Sequence, residues 1–520
     1  MSGDQLRRSA TAVTVVAAIY LVIVSIWYAA SGYIDHDEHQ FMSSAFVVAK
    51  YGLQPYQDFA YFHMPNLAYI YAPFFSTNSP FLLARLFAVT CGLGICIAIF
   101  LAARALFADA NKTVNLNQLI LPAASVLLLF HSSLYVLASS HVWNHTSSVL
   151  CAVTAFLLHC RAIRGDKPLQ SFLISGIFLG MAVGIRLTFA PFVAPFLLAL
   201  AIFTKGAARE KGLYAFVFVV GGMLSNLPAI YFFFTSHESF MFGNLGYPEL
   251  NTLYRQEMSY PIAMTLIGKM KYFYDNFLCS PTQLAISLVC VSNLIFLGID
   301  AKRNATRPRF EVVFLLLVLP FVCIGFIAPT PTWTQYYFAL VPFVILLSLY
   351  TLSSLRSTAL SRSAGRLFVV AAVFVSINGT PLRNSSMLHG LMRPESWIPV
   401  RVRQESELIR SYVHSNGGTG KVLTLSPIFA VESGLPIYKE FVTGPFAWRV
   451  SHFISESEAE IRHLPLHSRI DSFLEREHPR AILTGDEGRV EAPIIEAAQR
   501  SGYQPILLQS GITLWLPAKS

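Results

Sequence analysis

Apolar residues occur along this chain in blocks of about twenty separated by short polar turns, without the regular alternation of helices or strands that keep one wet face. Stretches long enough for a hydrocarbon core of roughly 30 Å fall at 11–31, 81–103, 118–138, 143–160, 170–187, 188–204, 213–235, 282–299, 310–328, 335–352 and 365–381. The pattern predicts a polytopic α-helical membrane protein with about eleven transmembrane helices. The first stretch is too long for a signal peptide and lacks a small-residue cleavage site, so it is expected to stay as a helix. The two stretches at 170–204 are parted only by Arg186-Leu-Thr-Phe-Ala-Pro191, the tightest turn in the count. No internal repeat relates two halves of this region, as it does in many transporters.

Beyond 381 the pattern changes. Charges and prolines become frequent, and the apolar runs shorten to strand length at 421–425, 481–484, 504–508 and 512–516, with helical spacing at 400–414 and 490–501. The division expected is a membrane module over 1–381, whose first exported loop spans 32–80, and a small α/β domain over 382–520.

Composition agrees with the pattern. Of 520 residues 54% are hydrophobic and only 13% charged, which excludes an ordinary soluble domain. The net charge of +9 is a matter of topology. Arg104, Arg161, Arg164, Lys205, Arg209, Lys302, Arg303, Arg356 and Arg362 crowd the turns of one side, whereas the other side carries only Lys50, Arg186, Arg255, Lys269 and Lys271. The positive-inside rule makes the first side cytoplasmic. An odd number of spans then places the N-terminus in the cytoplasm and exports the C-terminal domain, with a bacterial inner (plasma) membrane as the expected location. Without a basic stripe interleaved with aromatics, no nucleic-acid partner is expected. The cysteines lie within or beside apolar runs and without zinc-type pairing, so neither a disulfide framework nor a cysteine metal site is expected.

Candidate chemistry begins just past the first apolar stretch, at Asp35-His36-Asp37-Glu38-His39. Three acids within four residues sit at a span exit, in a chain whose spans are nearly free of acids. Moving a sugar to a hydroxyl needs a carboxylate to take the acceptor's proton and a cation to receive a departing phosphate. Asp37 is the candidate base, Glu38 a candidate for orienting the acceptor, and Asp35 the rival base. The competing reading is a solvated helix start, where acids are favoured by the helix dipole. His36 and His39 are a weaker alternative, a divalent-metal pair, although their spacing demands no defined coordination geometry. No cofactor is otherwise expected.

Read onward, Asp37-Glu38, then Gly52-Leu-Gln-Pro-Tyr-Gln-Asp58, then His63-Met-Pro65 resembles the N-terminal module of the GT-C glycosyltransferases, in the branch of protein O-mannosyltransferases and the lipid A aminoarabinose transferase. The likeness covers roughly the first 200 residues and weakly includes Gln335-Tyr-Tyr337. It implies a polyprenyl-phosphate sugar donor, an exported glycan, lipid or protein acceptor, inversion at the anomeric carbon and a first-loop acid as base, matched here to Asp37-Glu38. Tyr56, Asp58 and His63 are then expected to shape the loop.

For the leaving phosphate the main candidate is Arg186, an arginine in an apolar stretch, against the alternative that it snorkels to the interface. Arg85, one turn into the second span, raises the same question. Arg255 is a candidate for donor phosphate or lipid headgroups. His141 and His145, at a turn between spans, and Gln335 and Tyr336, after a Pro-Thr-Pro-Thr-Trp run, are candidate sugar or phosphate contacts that an aromatic-rich membrane interface also explains. Two other readings compete with a transferase. A flippase for a lipid-linked saccharide calls for ionisable groups in mid-membrane, and a scaffold needs no first-loop acids.

Overall fold

The structure, a computed structural model, describes residues 3–107, 117–259, 265–379, 386–417 and 420–518. The 381/382 boundary lies outside the described residues. The protein is a polytopic helical membrane protein with a small sheet near its C-terminus. Each of the eleven predicted stretches falls on helix over its described residues, the last two positions of 365–381 lying outside them. Among the described residues seven helices qualify as spans by length and apolarity, including Pro80–Phe107, Asn144–Ile163, Pro168–Ile185 and Phe310–Ile327, and up to ten do if each sharply bent helix pair counts as one span. The stretch at 188–204 accounts for the difference from eleven, because Leu187–Phe203 forms a shorter apolar helix.

The bends have local causes. Helix Ala208–Ser225 meets Leu227–Thr235 at 70°, where Pro228 in the first turn of the second helix removes a backbone donor. Upstream, Ala208–Ser225 lies tightly against Pro168–Ile185. A Cβ added at Gly176 would lie 2.0 Å from the carbonyl oxygen of Phe218, and one at Gly180 2.4 Å from that of Gly222. Only glycine permits this approach, the small-residue packing that holds helices together where lipid supplies no hydrophobic drive.

The element that matters most follows the first helix. Helix α1 (Gly3–Ser31) gives way to α2 (His36–Tyr51), which turns off at 90°. Asp35 is the N-cap of α2, with its carboxylate accepting from the Asp37 amide while the Glu38 carboxylate accepts from the Asp35 amide. This reciprocal capping box fixes where the helix starts. Gly52, in the left-handed region at φ 67°, stops it.

At the C-terminal end, strands β1 (Val422–Thr424), β2 (Ala481–Thr484), β3 (Tyr503–Leu507) and β4 (Thr513–Pro517) form one sheet in the order β1-β2-β4-β3. β1 runs parallel to β2, and β4 is antiparallel to both its neighbours. Helices Ile398–Ser415 and Ala492–Arg500 stand close to their predicted positions. The sheet is not a free appendage. Phe41, Ala45 and Phe46 of α2 share one buried apolar core with Val422, Ile428, Leu483 and Leu514. The Ser43 hydroxyl donates to the carbonyl of Val442, and the Glu432 carboxylate accepts from the amide of Phe81, 3.1 Å away, at the start of Pro80–Phe107. The acid-bearing helix and the C-terminal unit therefore lie together at one end of the bundle. Another group of charges collects around buried Glu311, which accepts from both Arg164 and Arg309.

Candidate active site

A cavity of about 1320 Å³ opens between the start of α2, the turns at 143–144 and 186–188, helix Tyr247–Glu257, the segment 328–336 and the C-terminal unit. Asp35, His36, Asp37, His63, Arg186, Arg255, Gln335 and Tyr336 line it. The structure thus brings together residues scattered over three hundred positions of sequence.

The three acids have different surroundings. Glu38 is wholly buried and its two oxygens accept four hydrogen bonds: from Arg85 Nε at 2.9 Å and the Val142 amide at 2.8 Å on one side, and from Arg85 Nη2 at 2.6 Å and the Asp35 amide at 3.1 Å on the other. Burial opposes its ionisation, but Arg85 outweighs that and holds its carboxyl below the usual range. Asp35 is engaged as the helix cap, and its carboxylate also accepts from Trp143 Nε1 at 2.9 Å. Asp37 keeps access to the cavity and accepts one side-chain hydrogen bond, from Gln40 Nε2 at 3.0 Å. Burial, reinforced by the neighbouring Asp35 charge, pushes its carboxyl up to about 7, which suits a group that must take up a proton near neutrality. Of the three, Asp37 has the freest oxygens.

From Asp37 a line of polar contacts crosses the cavity wall. Gln40 Nε2 also meets His63 Nε2 at 3.1 Å, His63 Nδ1 lies 3.5 Å from Asn144 Nδ2, and Asn144 Oδ1 accepts from Arg186 Nη1 at 2.8 Å. Burial, aided by the Arg186 charge, pulls His63 down to about 3, so the imidazole in this line is neutral. The same Arg186 nitrogen lies 3.3 Å from His145 Nε2, and Nε donates to Thr188 Oγ1 at 2.9 Å. Its guanidinium sits over the Tyr336 ring, 4.3 Å from the centroid. Local backbone explains the placement: Arg186 is the extended C-cap, at φ −149°, between helix Pro168–Ile185 and the turn Leu187–Phe192. A helix end lets the side chain swing across into the cavity instead of lying along the bundle.

Other sequence-derived candidates have different placements. Arg85 does not line the cavity: it is buried against Glu38 and backbone carbonyls. Tyr56 is buried away from the cavity with its hydroxyl on the His63 carbonyl, and Asp58 caps the local turn by accepting from the Gln54 amide at 2.7 Å. Both hold the loop that presents His63. His141 stacks on Trp143, ring centroids 4.5 Å apart, and stands behind the lining. His145 reaches Arg186 but not the main cavity. Arg255 lies 5.3 Å from the Trp333 ring centroid. His36 and His39 do not point at each other or at His63. His36 Nδ1 meets Glu487 at 2.7 Å, and His39 Nε2 meets Asp486 at 2.8 Å.

Sequence reasoning expects the C-terminal domain to cover the cavity or hold the acceptor but names none of its residues. Phe446 and Arg449, from helix Pro445–Val450, line the same cavity, as does Tyr247. The one signal was an arginine set within the apolar run Ala447-Trp-Arg-Val450, where a buried charge implies a partner. That partner is Glu487, 3.0 Å away.

No protein-family model matches the sequence, and no curated protein does. Among solved structures the chain is similar to ArnT from Cupriavidus metallidurans bound to undecaprenyl phosphate, with a TM-score of 0.62, 11% identity and 97% of each chain covered. It is similar also to apo ArnT from the same organism, with a TM-score of 0.62, 9% identity and 98% of each chain covered. At such identity the likeness is one of architecture, and it extends through the C-terminal unit as well as the bundle. The chain has a GT-C-like fold, the class that its first-loop pattern resembles.

Proposed function

We propose that this protein is an integral membrane glycosyltransferase that moves a sugar from a polyprenyl-phosphate donor to an exported glycan, lipid or protein acceptor, with inversion at the anomeric carbon. The observation that carries the reading is the shared cavity of Asp37 and Arg186, a carboxylate with one oxygen bonded to Gln40 and the other open, and a guanidinium on opposite sides of one polar line. Asp37 takes the proton of the attacking acceptor group as the new glycosidic bond forms. The bond from the anomeric carbon to the phosphate oxygen breaks at the same time, and the phosphate's growing charge is met by Arg186, oriented by Asn144 and stacked on Tyr336. General-base assistance is typically worth about 10²- to 10⁴-fold in rate. That ArnT has been crystallised with undecaprenyl phosphate supports a lipid-phosphate donor for a chain of the same architecture.

The reading keeps the membrane module at 1–381 and an exported α/β domain at 382–520, in a bacterial inner membrane with the N-terminus in the cytoplasm. Glu38 and Asp35 then act as positioning residues for the start of α2, and Arg85 as the partner of Glu38. A donor-turnover assay on the purified protein tests the proposal: a transferase consumes polyprenyl-phosphate sugar, a flippase carries it intact across a vesicle, and a scaffold does neither.

A further inference from the structure

Behind the cavity wall a second cluster joins α2 to the loop after β2. His39 is buried, with Nε2 2.8 Å from Asp486 Oδ2. Glu487, also buried, engages His36 Nδ1 with one oxygen at 2.7 Å and Arg449 Nη2 with the other at 3.0 Å. Ligand atoms of His39, Asp486 and Glu487 all lie within 4.8 Å of one another. Beside them, buried Glu491 takes the Gly485 amide on one oxygen at 2.6 Å and leaves the other without a hydrogen-bond partner. Of these three carboxylates within six residues of one loop, Glu487 is bonded to Arg449 and Asp486 to His39, while Glu491 has no cation bonded to it among the described residues. A buried carboxyl oxygen left without a partner on Glu491, beside buried Glu487 and the exposed Asp486, marks a place for a further cation.

We propose that His39, Asp486 and Glu487 form a zinc site that clamps the start of α2 to the C-terminal domain. One imidazole and two carboxylates are the donors of mixed N/O zinc sites, and water completes a four-coordinate ion. Zinc bonds of about 2.0–2.2 Å draw the three ligand atoms inward, a short movement for side chains on two elements already packed together. His36 and Arg449, bonded to Glu487, orient that carboxylate as outer partners do. The ion stands two residues from Asp37 without lining the donor path. Its role is to fix the helix start that presents the carboxylate, not to bind the sugar. The site stands independently of the transferase reading, because zinc binding is measured with no donor present.

The test uses the full-length, tag-free protein in detergent, stripped with chelator and then titrated with zinc chloride. We expect about one zinc retained per chain by elemental analysis, a raised thermal midpoint, and affinity weakened about tenfold or more in Asp486→Asn and in Glu487→Gln. Cobalt in place of zinc gives a readout that needs no variant: intense visible d–d bands of a low-coordinate ion are expected in the native chain. Zinc retained equally by Asp486→Asn, no zinc retained by the native chain, or cobalt bands as weak as those of the aqua ion would each overturn the site.

Discussion

Arg85 and Glu38 form a closed pair: all five guanidinium N–H donors of Arg85 are used, two on Glu38 and three on the carbonyls of Ala29, Gly32 and Tyr33. This pair ties the end of α1 and the start of α2 to helix Pro80–Phe107. It also removes Glu38 from proton transfer, because an oxygen that already accepts two strong hydrogen bonds has little capacity for a third.

Breaking the pair should harm the fold before the chemistry. Glu38→Gln or Arg85→Met alone leaves an uncompensated buried charge, a loss of about 3–5 kcal/mol. Removing both partners together should cost less than the sum of the two. Thermal midpoints of the three variants in detergent check this, and strict additivity would show that the two side chains act separately.

Arg186 should behave differently. Arg186→Lys keeps a positive charge but loses the planar fork over Tyr336 and the contact to Asn144. Removing one transition-state donor typically lowers kcat by about 10²–10³-fold, so kcat for donor consumption should fall on that scale while the thermal midpoint stays near that of the native chain. Asn144→Ala should show a smaller loss in the same direction.

Gly180→Val tests the helix contact at the back of the bundle. The added side chain must displace the backbone at Gly222, so folded yield should drop sharply. Gly212→Ala, in the same partner helix with open space around it, should be neutral.

Glu432 gives a pH dependence with a definite sign. Burial pushes its carboxyl from 4.5 up to about 8. Between those values the unfolded chain has lost the proton that the folded chain still holds, so stability should fall as pH rises from about 4.5 to about 8 and level off on either side. The slope from this group is at most about 1.4 kcal/mol per pH unit. Glu432→Gln should flatten that part of the profile and raise the thermal midpoint at pH 8 relative to the native chain.

Much of this was legible in the sequence because the responsible signals are local. Apolar stretch length marks the helices, with Leu187–Phe203 the one that falls short of a span. The capping box at Asp35 and Glu38 lies within four residues, and the strands near 481 and 513 are short apolar runs. What the sequence hides is pairing at a distance. Arg85 reads as a lone intramembrane cation until Glu38 is seen against it. His36 and His39 look like partners at helical spacing, yet they reach separate carboxylates more than four hundred residues away. Arg449 enters the cavity only because the sheet packs on α2, and no local rhythm in the chain reports that docking.

The central claim concerns which carboxylate faces the reacting group, and one comparison tests it most directly: turnover of polyprenyl-phosphate sugar by Asp37→Asn and Asp35→Asn beside the native chain, each with its thermal midpoint. The account predicts a fall of about 10²-fold or more for Asp37→Asn with the midpoint retained, and a smaller loss for Asp35→Asn that follows its stability. Near-native turnover by Asp37→Asn, or silence confined to Asp35→Asn in a stable protein, would contradict it.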